Sequence, residues 1–270
     1  MTTATPRIKR NKPTTKLAPF EKKPTESSKK GKDFLALRRI LHAVVLISNV
    51  TTLVYFLMVC VEAVKLPIVH TDEFLRHELK YVPYLFSLWV TTVQYIYFGM
   101  YNVIDFLEIY SAGKRNFHQL CEKMHNIASY LLFTFVFPLS MLVLMLFWSF
   151  YFYDRNLIYP PLMDDYIHPY ANHVMHTFPV PLSIIYMIMS NKKEPSRFQS
   201  FSGLVAFLGF YAAIFMSLKL AHGQYVYIGL EKLPPTQVKW ILGFAVVAPL
   251  IFHTLGFKIN DILKRKRSIK

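Results

Sequence analysis

The sequence predicts an all-α polytopic membrane protein: a bundle of about six transmembrane helices with both termini in the cytosol. Three observations predict it. The 270-residue chain is 53% hydrophobic and 16% aromatic, which leaves a soluble domain too little polar surface to cover itself. The apolar residues gather into long blocks, each about enough to cross a bilayer core of roughly 30 Å at 1.5 Å per residue. The Lys and Arg residues gather in alternate connections, and that asymmetry sets orientation.

The elements follow in order. Residues 1–38 form a tail rich in Lys, Pro, Thr and Ser. It lacks the apolar surface that would offset ordering entropy, so it is expected to be disordered and cytosolic. It has no apolar core of a cleaved signal peptide, and Thr2 stands where myristoylation needs glycine. Twelve of the basic residues precede Leu41, and six more lie in 258–270. They flank apolar spans, so the net charge of +15 points to anionic lipid headgroups and not to nucleic acid. Residues 39–263 are expected to be the transmembrane domain, and 264–270 a second basic cytosolic tail.

The six spans are expected at 40–64, 81–107, 126–150, 171–190, 201–222 and 238–257. Pro179 and Pro181 should kink the fourth. The connections 111–124 and 191–199 are basic and belong inside. The connections 65–80, 151–170 and 223–237 are poorer in Lys and Arg, and the middle one carries Asp154, Asp164 and Asp165. Tyr151, Tyr153, Tyr159, Tyr166 and Tyr170 crowd that outer edge as an aromatic belt does. Cys60 and Cys121 fall near opposite faces, so no disulfide is expected between them. The sequon at Asn49 lies mid-span, beyond reach of glycosylation.

Two spans carry polar groups that a membrane tolerates only for a reason. In the second, Ser87, Thr91, Gln94 and Asp105 fall on one stripe at 100° per residue, facing the bundle or a wet cavity. Each can serve interhelical hydrogen bonding, or one hydroxyl can be a nucleophile. In the fourth, His173 and His176 share a face. They read as core histidines, as half of a metal site, or as a general base. Zinc wants a third and usually a fourth ligand, and His222 offers only one more.

Depth favours the base. With both termini inside, Ser87 lies about 9 Å along its helix from the outer end, and His176 about 8 Å along its own. A hydroxyl and an imidazole at one level can meet. Thr91, one turn deeper, is the reserve nucleophile.

The runs YDRNLIYP (153–160), NHVMHT (172–177) and FSLWVTTVQYIYFG (86–99) resemble the androgen-induced membrane hydrolase family. The likeness extends over roughly residues 42–263 and is densest over 146–177. It implies a multi-pass hydrolase of fatty acid esters of hydroxy fatty acids, working with a threonine nucleophile and a histidine and without a cofactor or metal. The second histidine of NHxxHT falls on His176. The nucleophile, seven residues before the glutamine of the second-span run, falls on Ser87. Serine here keeps the hydroxyl of the family's threonine and lacks its methyl.

The expected chemistry is a Ser87–His176 dyad hydrolysing a lipid ester that arrives laterally from the bilayer. Asn172, His173 or a backbone N–H at a span end are the candidate oxyanion donors. The alternative is a non-catalytic multi-pass regulator or small transporter, supported by the basic tail and the serine-for-threonine departure. The membrane is expected to be that of the endoplasmic reticulum or the plasma membrane.

Overall fold

A computed structural model describes residues 26–110, 115–190 and 193–268. The described residues are helical throughout, joined by short turns, with no strand among them. The protein is an all-α polytopic membrane protein. Four helical stretches are long and apolar enough to cross a membrane by length and composition: Asp33–Ala63, Phe117–Leu157, Arg197–His222 and Pro235–Lys266.

The first helix, α1 (Glu26–Ala63), already includes residues 26–38 of the segment expected to be disordered. Helix propagation adds one hydrogen bond per residue once a nucleus exists, and Leu35, Ala36, Leu37 and Arg38 are good helix formers. Residues 1–25 of that expected tail lie outside the described residues, and Arg38–Lys270 is one compact unit.

The connection 65–80, expected as a loop, folds into α2 (Pro67–Thr71) and α3 (Glu73–Tyr81). Asp72 caps α3 by accepting from the Leu75 amide at 2.9 Å. Phe74 and Leu75 pack with Val69 and Ile228 in a small apolar cluster. Pro83 lies in a 3-10 turn, so the second span begins later than expected, as α4 (Phe86–Tyr110).

The third span is the inner part of a longer pair. Helix α5 (Arg115–Leu131) runs through a π turn (Leu132–Val136) into α6 (Phe137–Asp154). The π turn directly precedes Pro138, which has no N–H for the carbonyl four residues back and crowds it. The Ser140 hydroxyl donates to the Val136 carbonyl beside it, and Gln94 of α4 donates to Ser140 at 2.9 Å. Side chains thus re-satisfy the loosened turn, as an apolar surrounding demands.

The fourth span is broken, as its prolines predict. Helix α7 (Pro169–His176) ends at His176, and α8 (Pro179–Met189) starts with Pro179 in its first turn. Helix α9 (Arg197–His222) ends on Gly223, whose φ of +72° is the left-handed cap conformation that glycine adopts without strain. Helix α10 (Pro235–Ser268) packs extensively on α6. Between them, Tyr97, Phe98, Leu132, Val136, Phe137 and Tyr186 form the centre of the main core.

The polar stripe of α4 faces inward: Thr91, Gln94 and Asp105 are buried. At its far end Asp105 accepts from Arg38 at 2.8 Å and pairs with His42 Nδ1. Arg38 also reaches Glu108 at 2.6 Å, and His125 bonds Glu108 at 3.3 Å. This network ties α1, α4 and α5 together. Asp105→Ala should lower unfolding stability in detergent by about 3 kcal/mol, because it strips Arg38 and His42 of a buried anion. An unchanged denaturant midpoint would show that the network does not hold the helices.

Candidate functional site

The other end of α4 is built differently. Ser87 is its second residue, where backbone N–H groups have no partner within the helix. The Phe86 amide donates to the Tyr227 hydroxyl at 2.8 Å, and that hydroxyl also faces the Ser87 amide. Tyr211 of α9 donates to the Tyr84 carbonyl at 2.9 Å, and Trp89 Nε1 donates to the Pro83 carbonyl at 2.8 Å. Three aromatic side chains, bonded to backbone groups at the start of α4, thus fix where the helix starts and, with it, Ser87. The positive end of the helix dipole favours negative charge developing on the Ser87 oxygen.

His176 reaches the same region from α7. Its Nδ1–H donates to the Asn172 carbonyl at 3.0 Å. That bond fixes the tautomer and leaves Nε2 with a free lone pair, the form a general base needs. The Phe147 ring of α6 stacks on the imidazole, centroids 3.9 Å apart and planes within 16°. The helix break at Thr177 and Phe178 therefore has a consequence: it terminates α7 with His176 held between a carbonyl below and a ring beside it.

Ser87 and His176 line one cavity of about 430 Å³. Its walls come from α1, α4, α6, α7, α9 and α10, and are chiefly Leu, Ile, Val, Met and Phe. Helices α4 and α7 pack against each other. Among the described residues the two side chains are not hydrogen-bonded to each other; they share the wall.

The other expected positions divide. Asn172 is on the cavity wall. His173 is not: it stacks near Trp148, and its Nδ1 bonds the Thr177 hydroxyl at 3.0 Å, which also accepts from Trp148 Nε1. His173 belongs to packing around the break. Thr91, the reserve nucleophile, is buried in the helix interface and does not line the cavity. The YDRNLIYP run forms the roof. Arg155 donates to the Tyr159 carbonyl at 3.0 Å and pairs with Asp164 at 2.8 Å, holding Leu157, Ile158 and Tyr159 against the cavity.

Sequence reasoning missed Tyr227 and Glu78, both on the cavity wall. Neither lies in an apolar span, and nothing local marks a loop tyrosine or an amphipathic-helix glutamate as inward-facing. A different hydroxyl–imidazole pair does form a hydrogen bond: Ser200 Oγ and His253 Nε2, at 2.9 Å, with Thr134 donating to Ser200. It is buried in the packing of α9 and α10 and lines neither of the two described cavities.

A polytopic helical bundle enclosing an apolar cavity, with a hydroxyl and an imidazole on its wall, defines the class: an all-α multi-pass membrane protein with an internal apolar cavity. The chain matches the profile of the family described as FAR-17a/AIG1-like protein over residues 50–261, and it belongs to that family. It is 30% identical to the human androgen-induced gene 1 protein over 176 residues, 63% of this chain and 73% of that protein. It is 31% identical to the mouse androgen-dependent TFPI-regulating protein over 127 residues, 47% of this chain and 55% of the mouse protein. The human androgen-dependent TFPI-regulating protein is 27% identical over 168 residues, 62% of this chain and 71% of its own length. No solved structure matches.

Proposed function

We propose that the protein is an intramembrane ester hydrolase acting on fatty acid esters of hydroxy fatty acids, with Ser87 as nucleophile and His176 as general base. The observation that carries this reading is the shared wall: a hydroxyl at a helix N-terminus and an imidazole with Nε2 free border one apolar cavity. The bundle is read as six crossings, with α4 and the α7–α8 pair joining the four apolar stretches. Both termini are then cytosolic and the cavity lies toward the outer face. The basic tail is read as a contact to anionic headgroups.

The steps balance without a cofactor. As Ser87 Oγ bonds to the ester carbonyl carbon, its proton passes to His176 Nε2. The tetrahedral adduct collapses, the ester C–O bond breaks, and Nε2–H protonates the departing alkoxide, which leaves as the free hydroxy fatty acid. Water then gives a proton to His176 Nε2 and attacks the acyl carbon; the acyl–Oγ bond breaks, Nε2–H returns the proton to Ser87 Oγ, and the second fatty acid is released. A fluorophosphonate probe tests the reading on the purified protein. Covalent labelling at Ser87, lost in Ser87→Ala, supports it. Well-folded protein that takes up no probe would favour the non-catalytic regulator.

A further inference from the structure

Helix α3 lies outside the membrane-spanning segments, yet it turns one carboxyl group inward. Glu78 is on the wall shared by the large cavity and a smaller one of about 90 Å³. Around it stand Phe56, Val59, Leu85, Met163 and Ile167, which line both cavities. Glu78 has no hydrogen bond or ion pair to any described residue, whereas Asp105 pairs with Arg38 and Glu231 with Lys219. Its neighbours on α3 are occupied elsewhere: His77 bonds the Tyr225 and Val226 carbonyls, and Asp72 caps the helix.

Burial among apolar side chains pushes the Glu78 carboxyl up to about 8, since nothing nearby compensates the anion. That shift favours the carboxylic acid, the form with an O–H to give. Glu78 and Ser87 line the same cavity. Glu78 is near enough to Tyr227 to perturb that hydroxyl, and the same hydroxyl sits on the Phe86 and Ser87 amides. Tyr227 itself is pushed up to about 12 by burial and stays neutral across the working range.

We propose that the Glu78 carboxyl group donates a hydrogen bond to the ester carbonyl oxygen of a lipid substrate seated against Ser87. This rests on the hydrolase reading above. A neutral acid aimed at an oxygen where charge develops strengthens its bond in the transition state, which is how oxyanion donors accelerate acyl transfer. An ionised Glu78 accepts only and repels the oxyanion. The other titratable groups on the cavity wall are Tyr55 of α1, His176 of α7, Tyr211 of α9, and Tyr159 and Tyr227 of the connections. On the element packed against α3, Glu231 is paired with Lys219 at 2.8 Å.

The test uses the full-length protein in detergent and two readouts. Hydrolysis is followed from pH 6 to 9 in wild type, Glu78→Gln and Glu78→Ala, with folding checked by thermal unfolding. Wild-type kcat should fall as pH rises through about 8. Glu78→Gln, whose amide still donates, should stay within a few-fold at pH 7 and lose that alkaline limb. Glu78→Ala should lose about 10²-fold in kcat with KM little changed. In parallel, infrared difference spectra are taken on binding a long-chain dialkyl ketone, which offers the carbonyl without a leaving group. The protonated carboxyl band should shift in wild type and be absent from Glu78→Gln. A folded Glu78→Ala with wild-type kcat, or a wild-type band that ketone does not move, overturns the proposal. The infrared arm needs no turnover, so failure of the Ser87 reading, seen as no probe labelling, is told apart from failure at Glu78.

Discussion

Ser87→Ala should abolish hydrolysis of a fatty acid ester of a hydroxy fatty acid, and His176→Ala should do the same. On the proposed hydrolase reading the two act as one unit: without the oxygen no acyl-enzyme forms, and without the imidazole the oxygen keeps its proton. The double variant should therefore be no worse than either single one, since their effects do not add. Ser87→Thr should stay active, because it keeps the hydroxyl and adds one methyl to a wall position that borders a cavity. Thr91→Ala should retain turnover, because its hydroxyl is buried away from the cavity. If Ser87 only bonded across helices, Ser87→Ala would cost roughly 1 kcal/mol of stability and leave turnover intact. The four single variants, assayed side by side in one detergent with folding verified, decide it. A Ser87→Ala protein that works at the wild-type rate ends the hypothesis.

Among the described glycines, Gly229→Ala should be the most damaging substitution. A methyl there would overlap the Leu157 carbonyl and backbone, and backbone cannot swing aside as a side chain can. The two segments in contact, Arg155–Leu157 and Ile228–Lys232, both face the cavity and hold its roof together. Separating them should cost about 3 kcal/mol or more in detergent and reduce activity with it. Two controls sharpen the test. Gly203→Ala meets chiefly the Tyr130 side chain and should cost less. Gly243→Ala, within α10 with nothing near it, should gain about 0.5–1 kcal/mol from lower helix entropy cost. Thermal unfolding of the three variants gives the ranking. A Gly229→Ala protein as stable as Gly243→Ala would mean that the Gly229–Leu157 approach is not required.

The sequence by itself determined what local rules govern. Apolar blocks long enough for a bilayer set the all-α membrane class, and Pro179 and Pro181 set the break that ends α7 at His176. Periodicity alone placed Thr91, Gln94 and Asp105 on the buried face of α4. The motif likeness picked out Ser87 and His176 before any geometry brought them to one wall. Where a local signal is weak, the sequence fell short. The connection 65–80 reads only as a loop poorer in Lys and Arg, yet Asp72 and the Phe74–Leu75 pair make its second half a capped amphipathic helix that packs on Ile228.

Only the tertiary structure decided which polar groups work together. His173 and His176 look alike in sequence, and the packing of Trp148 and Phe147 separates them: one is taken up by Thr177, the other faces the cavity. Thr91 and Ser87 share a stripe, but only Ser87 reaches the open volume. Glu78 and Tyr227 come to the site from segments that no periodicity links to it. The physical reason is common to all three. Helix formation and membrane partition depend on neighbours within a few turns, whereas a cavity wall, a hydrogen-bond partner and the ionisation of a buried carboxyl depend on which distant side chains exclude water from the same place.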